Sequence, residues 1–302
     1  MILGLAMALL LAQVEVAEAV SGEATLREQE AACTISDGST CEEAGLAYAE
    51  GKSVTKNLAR AVSYYGVGCE AGDAGSCIRL GLAHDTGQGV EKNAAYASAY
   101  FQKACDLNEA TGCSNIGLSY VFGQGVRKDE KRAAGYFHRA CDAGNSAGCA
   151  NLATAYVKGI GVRRDRKRAA PIYDDACGDG DGNACFNLGV LYEKGWGVKR
   201  DVDRSQYLYR SACDEDEGAG CANLGLLYEK GKIGPHDSGK AVEWFRRGCD
   251  LSHGESCFNL GKAYRRGRGV AKDEEQGIAF IRKAVEVDPD FKPARRALAR
   301  LS

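Results

Sequence analysis

The chain has 302 residues, 45% hydrophobic and 26% charged, with a formal net charge of −2 and only 4 Pro. That balance belongs to a folded globular protein and excludes a global field steering the chain to nucleic acid or an anionic membrane. The outliers are 39 Gly and 14 Cys; so many cysteines, in an even number, fit an oxidising compartment better than a reducing one.

Taken in chain order, the first feature is an apolar run from Ile2 to Ala12, followed by Ala17-Glu18-Ala19. A short apolar run ahead of a small-x-small triplet predicts a secretory signal peptide over residues 1–19, although no Lys or Arg precedes the run. The run falls short of the roughly 20 apolar residues a membrane-spanning helix needs, and no later segment reaches that length. Residues 24–33, ATLREQEAAC, predict a lone helix that closes the start of the array that follows.

From there the cysteines count the chain. They stand at 33/41, 69/77, 105/113, 141/149, 177/185, 213/221 and 249/257, each pair spaced C-x7-C and 36 residues from the next. A fixed period of this size predicts stacked supersecondary units, with residues 20–302 forming one array. Each unit predicts two helices. In the unit that begins at Cys113, the residues Cys113, Ile116, Gly117 and Tyr120 mark the buried stripe of a helix A. Gly123-Gln124-Gly125-Val126 ends it. Asp129 then caps a helix B that buries Ala133, Tyr136, Phe137, Ala140 and Cys141. Asn57, Asn93, Asp165, Asp201, Asp237 and Asp273 are the equivalent caps. Glycine recurs inside helix A at 45, 81, 117, 189, 225 and 261, with Ala153 at the same phase, which predicts close helix approach. The large partner is expected in the row Tyr48, Tyr120, Tyr156, Tyr192, Tyr228 and Tyr264, where His84 takes the place of one tyrosine. The array ends in VDPDFKPARRALARLS, a Pro-punctuated turn and a basic amphipathic capping helix over about 288–302.

These motifs, GCANLATAYVKGIGV, ACFNLGVLYEKGWGV and SCFNLGKAYRRGRGV among them, resemble the Sel-1-like repeat family, relatives of the tetratricopeptide repeats. The cysteine spacing is similar to the cysteine-rich secreted branch known from Helicobacter. The resemblance spans residues 33–287 and implies an all-α fold: a right-handed α/α solenoid of seven helix-turn-helix repeats with terminal capping helices. Ser53 in one loop and GKIGPHD in another depart from the pattern.

The first cysteine of each pair ends helix B and the second begins the next helix A. Antiparallel helices joined by a short turn bring such ends within disulfide reach. The expected bridges are Cys33–Cys41, Cys69–Cys77, Cys105–Cys113, Cys141–Cys149, Cys177–Cys185, Cys213–Cys221 and Cys249–Cys257. A zinc site wants closer cysteine knuckles and a redox site C-x-x-C; neither spacing occurs, so no metal and no cofactor are expected.

Four histidines, His84, His138, His236 and His253, neither repeat nor pair at helical spacing, which gives no catalytic constellation. The resemblance also implies, as an alternative function, penicillin binding or β-lactam hydrolysis. Ser53-Val54-Thr55-Lys56 fits S-x-x-K, but S-D-N and K-T-G are both missing, so no catalytic residue is assigned. A third reading, an assembly factor of the mitochondrial intermembrane space, lacks the Arg- and Ser-rich presequence it needs.

The favoured expectation is a secreted or periplasmic monomeric scaffold that binds a protein or peptide on its concave face. Its candidate residues are Asn115, Asn151, Asn187, Asn223 and Asn259, with Lys158, Lys194 and Lys230 seven positions on from three of them. Residues at i and i+7 share a helix face. Asn offers a donor and an acceptor to a peptide backbone and Lys offers charge to a carboxylate. Two alternatives stay open: the Asn row can serve the seam between repeats, and the Lys row can complement helix C-terminal dipoles. The basic runs VRKDEKR and VRRDRKR, interleaved with acids, read as solvated outer surface rather than a nucleic-acid stripe.

Overall fold

A computed structural model describes residues 32–33 and 38–301. The predicted signal peptide and most of the predicted first closing helix lie outside the described residues. Among the described residues there are 15 helices and no strand. They divide into two compact units, one ending at Gly148 and one starting at Cys149.

The first unit holds α1 (Gly38–Glu50), α2 (Leu58–Glu70), α3 (Ala74–Thr86), α4 (Ala94–Asp106), α5 (Ala110–Phe122) and α6 (Glu130–Asp142). The boundary falls inside α7 (Ser146–Lys158). The second unit continues with α8 (Arg166–Gly178), α9 (Gly182–Lys194), α10 (Val202–Asp214), α11 (Gly218–Glu229), α12 (Ser238–Asp250), α13 (Gly254–Arg266), α14 (Glu274–Val287) and α15 (Lys292–Leu298). Odd-numbered helices up to α13 are the A helices and even-numbered ones the B helices. Within each unit A helices pack on the B helix after them, as in α1 with α2 and α9 with α10, and A helices of successive repeats also touch, as in α1 with α3 and α9 with α11.

The helix starts follow from local chemistry. Asn57, Asn93, Asp129, Asp165, Asp201, Asp237 and Asp273 each accept a hydrogen bond from a backbone N–H in the first turn of their B helix. Such a cap is worth about 1 kcal/mol. The A helices α3, α5, α9 and α13 end on Gly87, Gly123, Gly195 and Gly267, all left-handed. The second glycine of that loop has another duty. A Cβ on Gly125 would run into the backbone of Ala94 at the head of the preceding B helix. Gly89, Gly197 and Gly269 meet the heads of the preceding B helices in the same way, so these loops dock one repeat onto the previous one. Ser53, at this phase in the first repeat, keeps the positive φ (60°) without glycine.

The joints are oxidised. Cys33–Cys41, Cys69–Cys77, Cys105–Cys113, Cys177–Cys185, Cys213–Cys221 and Cys249–Cys257 are bridged, with Cα separations of 4.5–4.9 Å. Cys141 and Cys149 are likewise disulfide-bonded. Short local loops of this kind contribute about 2.5 kcal/mol each by restricting the unfolded chain.

The aromatic partner of the helix-A glycines differs from the expectation. A Cβ on Gly81, Gly117, Gly189 or Gly225 would sit 2.6–2.7 Å from the ring of Phe101, Phe137, Tyr209 or Phe245. These rings come from the following B helix, and Tyr65 and Ile281 fill the same role against Gly45 and Gly261. The Tyr48 row instead turns one helical step away. Its rings stack on a second B-helix row, in Tyr48–Tyr64, Tyr120–Tyr136 and Tyr264–Phe280. A cation covers the row from the first turn of helix B: Arg60 over Tyr48, Arg132 over Tyr120, Arg168 over Tyr156, Arg204 over Tyr192 and Lys240 over Tyr228. His84 is the exception that keeps the pattern. Opposite it, at the arginine phase, stands Tyr96, ring against ring at 5.2 Å, while Tyr100 stacks on its other side. The nitrogen-bearing group and the phenol have changed helices.

At the C-terminal end α15 packs on α14. Ala294 is fully buried and Phe291 meets Phe258 edge-on, so the basic helix covers the last A–B pair. Among the described residues no helix is long and apolar enough to cross a membrane.

Candidate functional site

Each unit opens clefts at one recurring register, between an A helix and the A helix of the next repeat. In the first unit a cleft of about 400 Å³ lies between α1 and α3, lined by Leu46, Ala49, Glu50, Leu82 and Thr86, with Leu58, Val62 and Tyr65 of α2. Its one cation, Arg79, donates to Glu42 at 2.6 Å. One repeat on, Leu82, Asp85, Asn115, Leu118 and Ser119 line a cleft of about 110 Å³ between α3 and α5, over Ser98 and Phe101 of α4. The Ser98 hydroxyl donates to the Gln124 carbonyl at 2.6 Å. In the second unit the same register between α9 and α11 is lined by Val190, Glu193, Lys194, Asn223, Leu226, Leu227, Lys230 and Lys232, enclosing about 160 Å³.

Helical pitch explains why these residues meet. Positions at i, i+3, i+4 and i+7 share a face, and the 36-residue period carries that face from repeat to repeat. Asn223, Leu226, Leu227 and Lys230 follow this spacing on α11. Val190, Glu193 and Lys194 meet them from the end of α9.

The candidate residues occupy different depths. Asn115 and Asn223 are half-buried in their clefts. Asn187 is half-buried and donates to the Asn183 carbonyl of its own helix at 2.9 Å. Asn259 is buried, its Oδ1 accepting from Lys262 Nζ at 3.2 Å while Nδ2 has no partner. Asn151 is half-buried on α7. The lysines differ: Lys158, Lys194 and Lys230 are all exposed at or just beyond the C-terminal ends of α7, α9 and α11. The structure brings Lys194, Asn223 and Lys230 into one cleft. Lys158 and Asn187 lie on α7 and α9 one repeat earlier.

Two residues of the α9–α11 cleft join the candidates that the sequence singles out. Lys232 comes from the irregular GKIGPHD loop and reaches Glu193 at 2.6 Å. Tyr209 donates to the other carboxylate oxygen at 3.0 Å. Burial pushes the Glu193 carboxyl up, but the bonds from Lys232 and Tyr209 and the charge of Lys194 outweigh it and hold the group below the ordinary carboxylate range. Burial, then the Glu193 charge, pushes the Tyr209 phenol well up, so it stays a donor. The departure from G-x-G-V marked Lys232 in the sequence. Nothing local tied Glu193 to Tyr209, 16 residues away.

Ser53 and Lys56 are both exposed in the loop after α1. Among the described residues no three His, Cys, Asp or Glu side chains converge as a metal set. What the clefts present is a row of small apolar floors with polar or charged rims.

A family model described as the Sel1 repeat matches seven times, at residues 41–73, 74–109, 110–145, 146–170, 182–217, 218–253 and 254–287. Among solved structures, a Sel1 repeat protein from Oxalobacter formigenes is 28% identical, with a TM-score of 0.68, over 71% of this chain and 86% of that one. A protective antigen of uropathogenic Escherichia coli with an SLR fold is 25% identical, with a TM-score of 0.57, over 88% of this chain. This chain spans 64% of that protein's length. Helicobacter pylori cysteine rich protein B is 28% identical over 45% of this chain, at a TM-score of 0.38. A comparison with curated proteins returns no match.

Proposed function

Because the chain belongs to the Sel1 repeat family, a protein–protein interaction fold, we propose that it is an exported scaffold that holds an extended segment of a partner protein along its A-helix clefts. The observation that carries this reading is the recurrence of one cleft at one register, with a polar position set into apolar walls, Arg79 in the first cleft and Asn115 and Asn223 in the other two. An extended segment suits such a row because each cleft takes one side chain while half-buried amides stand near its backbone. Asn115 and Asn223 belong to the clefts themselves. Asn151, Asn187 and Asn259 hold the same phase on α7, α9 and α13.

Export rests on the oxidised joints. Disulfides persist in secreted and periplasmic proteins and are kept reduced in most cytosols. Seven C-x7-C pairs with no free cysteine among the described residues fit that setting, as does the apolar run at Ile2–Ala12. The chain is expected to be a monomer in the periplasm or outside the cell.

The test is cross-linking capture from native envelope extract with the oxidised chain. Asn115, Asn151, Asn187, Asn223 and Asn259 are then changed together to Ala, with helicity checked by circular dichroism. Capture that falls about tenfold or more supports the clefts as the binding face. Unchanged capture by the folded variant assigns binding elsewhere and sinks this reading.

A further inference from the structure

The rim of the clefts is chemically divided along the sequence. At the last-turn phase of successive A helices stand Glu50, Thr86 and Phe122, and then Lys158, Lys194, Lys230 and Arg266. We propose that the clefts of the second unit select an acidic segment, an extended peptide with a carboxylate at every third residue. The proposal rests on the reading of the clefts as peptide-binding and names what they bind.

The α9–α11 cleft carries the charge argument. Three cations line it, Lys194, Lys230 and Lys232, against one carboxylate, Glu193. Lys232 and Tyr209 already engage both oxygens of that carboxylate. Lys230 makes no ion pair among the described residues, and Lys194 stands 3.6 Å from Glu193 with nearly half its side chain exposed. The cleft therefore keeps an uncompensated positive rim over an apolar wall of Val190, Leu226 and Leu227. Such a rim is poised for a carboxylate side chain whose methylenes rest on the wall.

The next repeat adds a cation at the same register, where Leu226 stands in α11. Lys262 is half-buried on α13, and burial pushes its ammonium below the ordinary lysine range. Glu229 and Glu255 oppose that, while Arg266 and Arg268 add to it. A carboxylate arriving there offsets the cost of burying the ammonium. In the first unit the same register holds Asp85 in one cleft and Glu50 with the already paired Arg79 in the other. Neither offers a free cation.

Spacing follows from packing. Helices in contact lie about 8–10 Å apart, and α9 touches α11 as α11 touches α13. A chain in the polyproline-II conformation covers that distance in about three residues, at roughly 3.1 Å each, and its three-residue period returns every third side chain to the same face. A carboxylate at every third position thus meets one rim cation per repeat.

The experiment measures fluorescence anisotropy of the full oxidised chain with a labelled peptide of about nine residues carrying glutamate at every third position over leucine and alanine. The controls are the glutamine counterpart and a peptide with the same glutamates in one block. We expect the spaced acidic peptide to bind about tenfold more tightly than either control and to weaken as salt rises. Lys194→Gln with Lys230→Gln abolishes the preference, while Lys167→Gln, exposed on α8, leaves it intact. Equal binding of the glutamate and glutamine peptides overturns the acidic selection and leaves peptide binding standing. Binding of neither peptide overturns both. A heparin oligosaccharide that binds through the same lysines when no peptide does overturns the choice of a peptide ligand.

Discussion

The two units share a scaffold and differ at the rim. Both use the same caps, the same glycine-against-ring contact and the same short disulfide. At the last turn of the A helices, however, the first unit places Glu50, Thr86 and Phe122, and the second places Lys158, Lys194, Lys230 and Arg266. Positions that hold the repeat together cannot vary without cost to packing, whereas the rim position is free to carry specificity. A repeat protein can thus change what it binds along its length while its fold stays periodic.

If the scaffold is equivalent in the two units, removing equivalent parts costs the same in each. The largest effect expected is at the joints. Cys69→Ser with Cys77→Ser, and separately Cys213→Ser with Cys221→Ser, should each lower local stability by about 2.5 kcal/mol. Urea titration with hydrogen exchange at the flanking helices measures it, since local opening reports each helix pair by itself. Unequal costs would mean that one unit leans on its covalent pins more than the other.

Next come the glycines. Gly81→Leu places carbon against the Phe101 ring and Gly189→Leu against Tyr209. Each should cost about 1–2 kcal/mol after the ~1 kcal/mol of helix propensity gained. Thermal melts that show no loss at either site would remove close approach as the reason for glycine there.

His253 sharpens the contrast from the second unit's side. It caps α13 as an acceptor, through Nδ1, for the Ser256 N–H, a place filled by Asp73 at α3 and Asp181 at α9. Burial pushes its pKa below the ordinary histidine value, with Glu255, Glu217 and Asp288 opposing. A depressed folded-state pKa means the unfolded chain takes the proton first as pH falls. The contribution is therefore whole above the ordinary histidine range and is lost as pH drops through it toward the lower folded value. Hydrogen exchange in α13 should quicken over that window, and His253→Asn, a cap that does not titrate, should flatten the response. His253→Ala should cost about 1 kcal/mol at neutral pH.

The smallest effect belongs to the exchanged pair. Tyr96→Arg or His84→Tyr alone should cost about 0.5 kcal/mol, and the double change should recover it by rebuilding the cation-over-ring contact of the other repeats. A double-mutant cycle without coupling would show that His84 and Tyr96 are independent.

Much of this molecule is legible in its sequence. The period, the helix pairs, the seven B-helix caps and the cysteine pairing all rest on residues within about ten positions of one another, where helix pitch and loop length decide geometry. Even the divided rim can be read by stepping 36 residues at a time. Tertiary structure alone decided which ring row faces the glycines, since Tyr64 and Tyr65 are adjacent aromatic residues of one B helix and the rotation of that helix decides which ring meets Gly45 and which meets Tyr48. It alone decided that Glu193 is held by Tyr209 from one helix and Lys232 from a loop 39 residues on, leaving the cleft positive. Periodicity constrains what lies along a helix; how two helices cross determines which side chains meet between them, and that depends on the packing of whole repeats rather than on any local spacing.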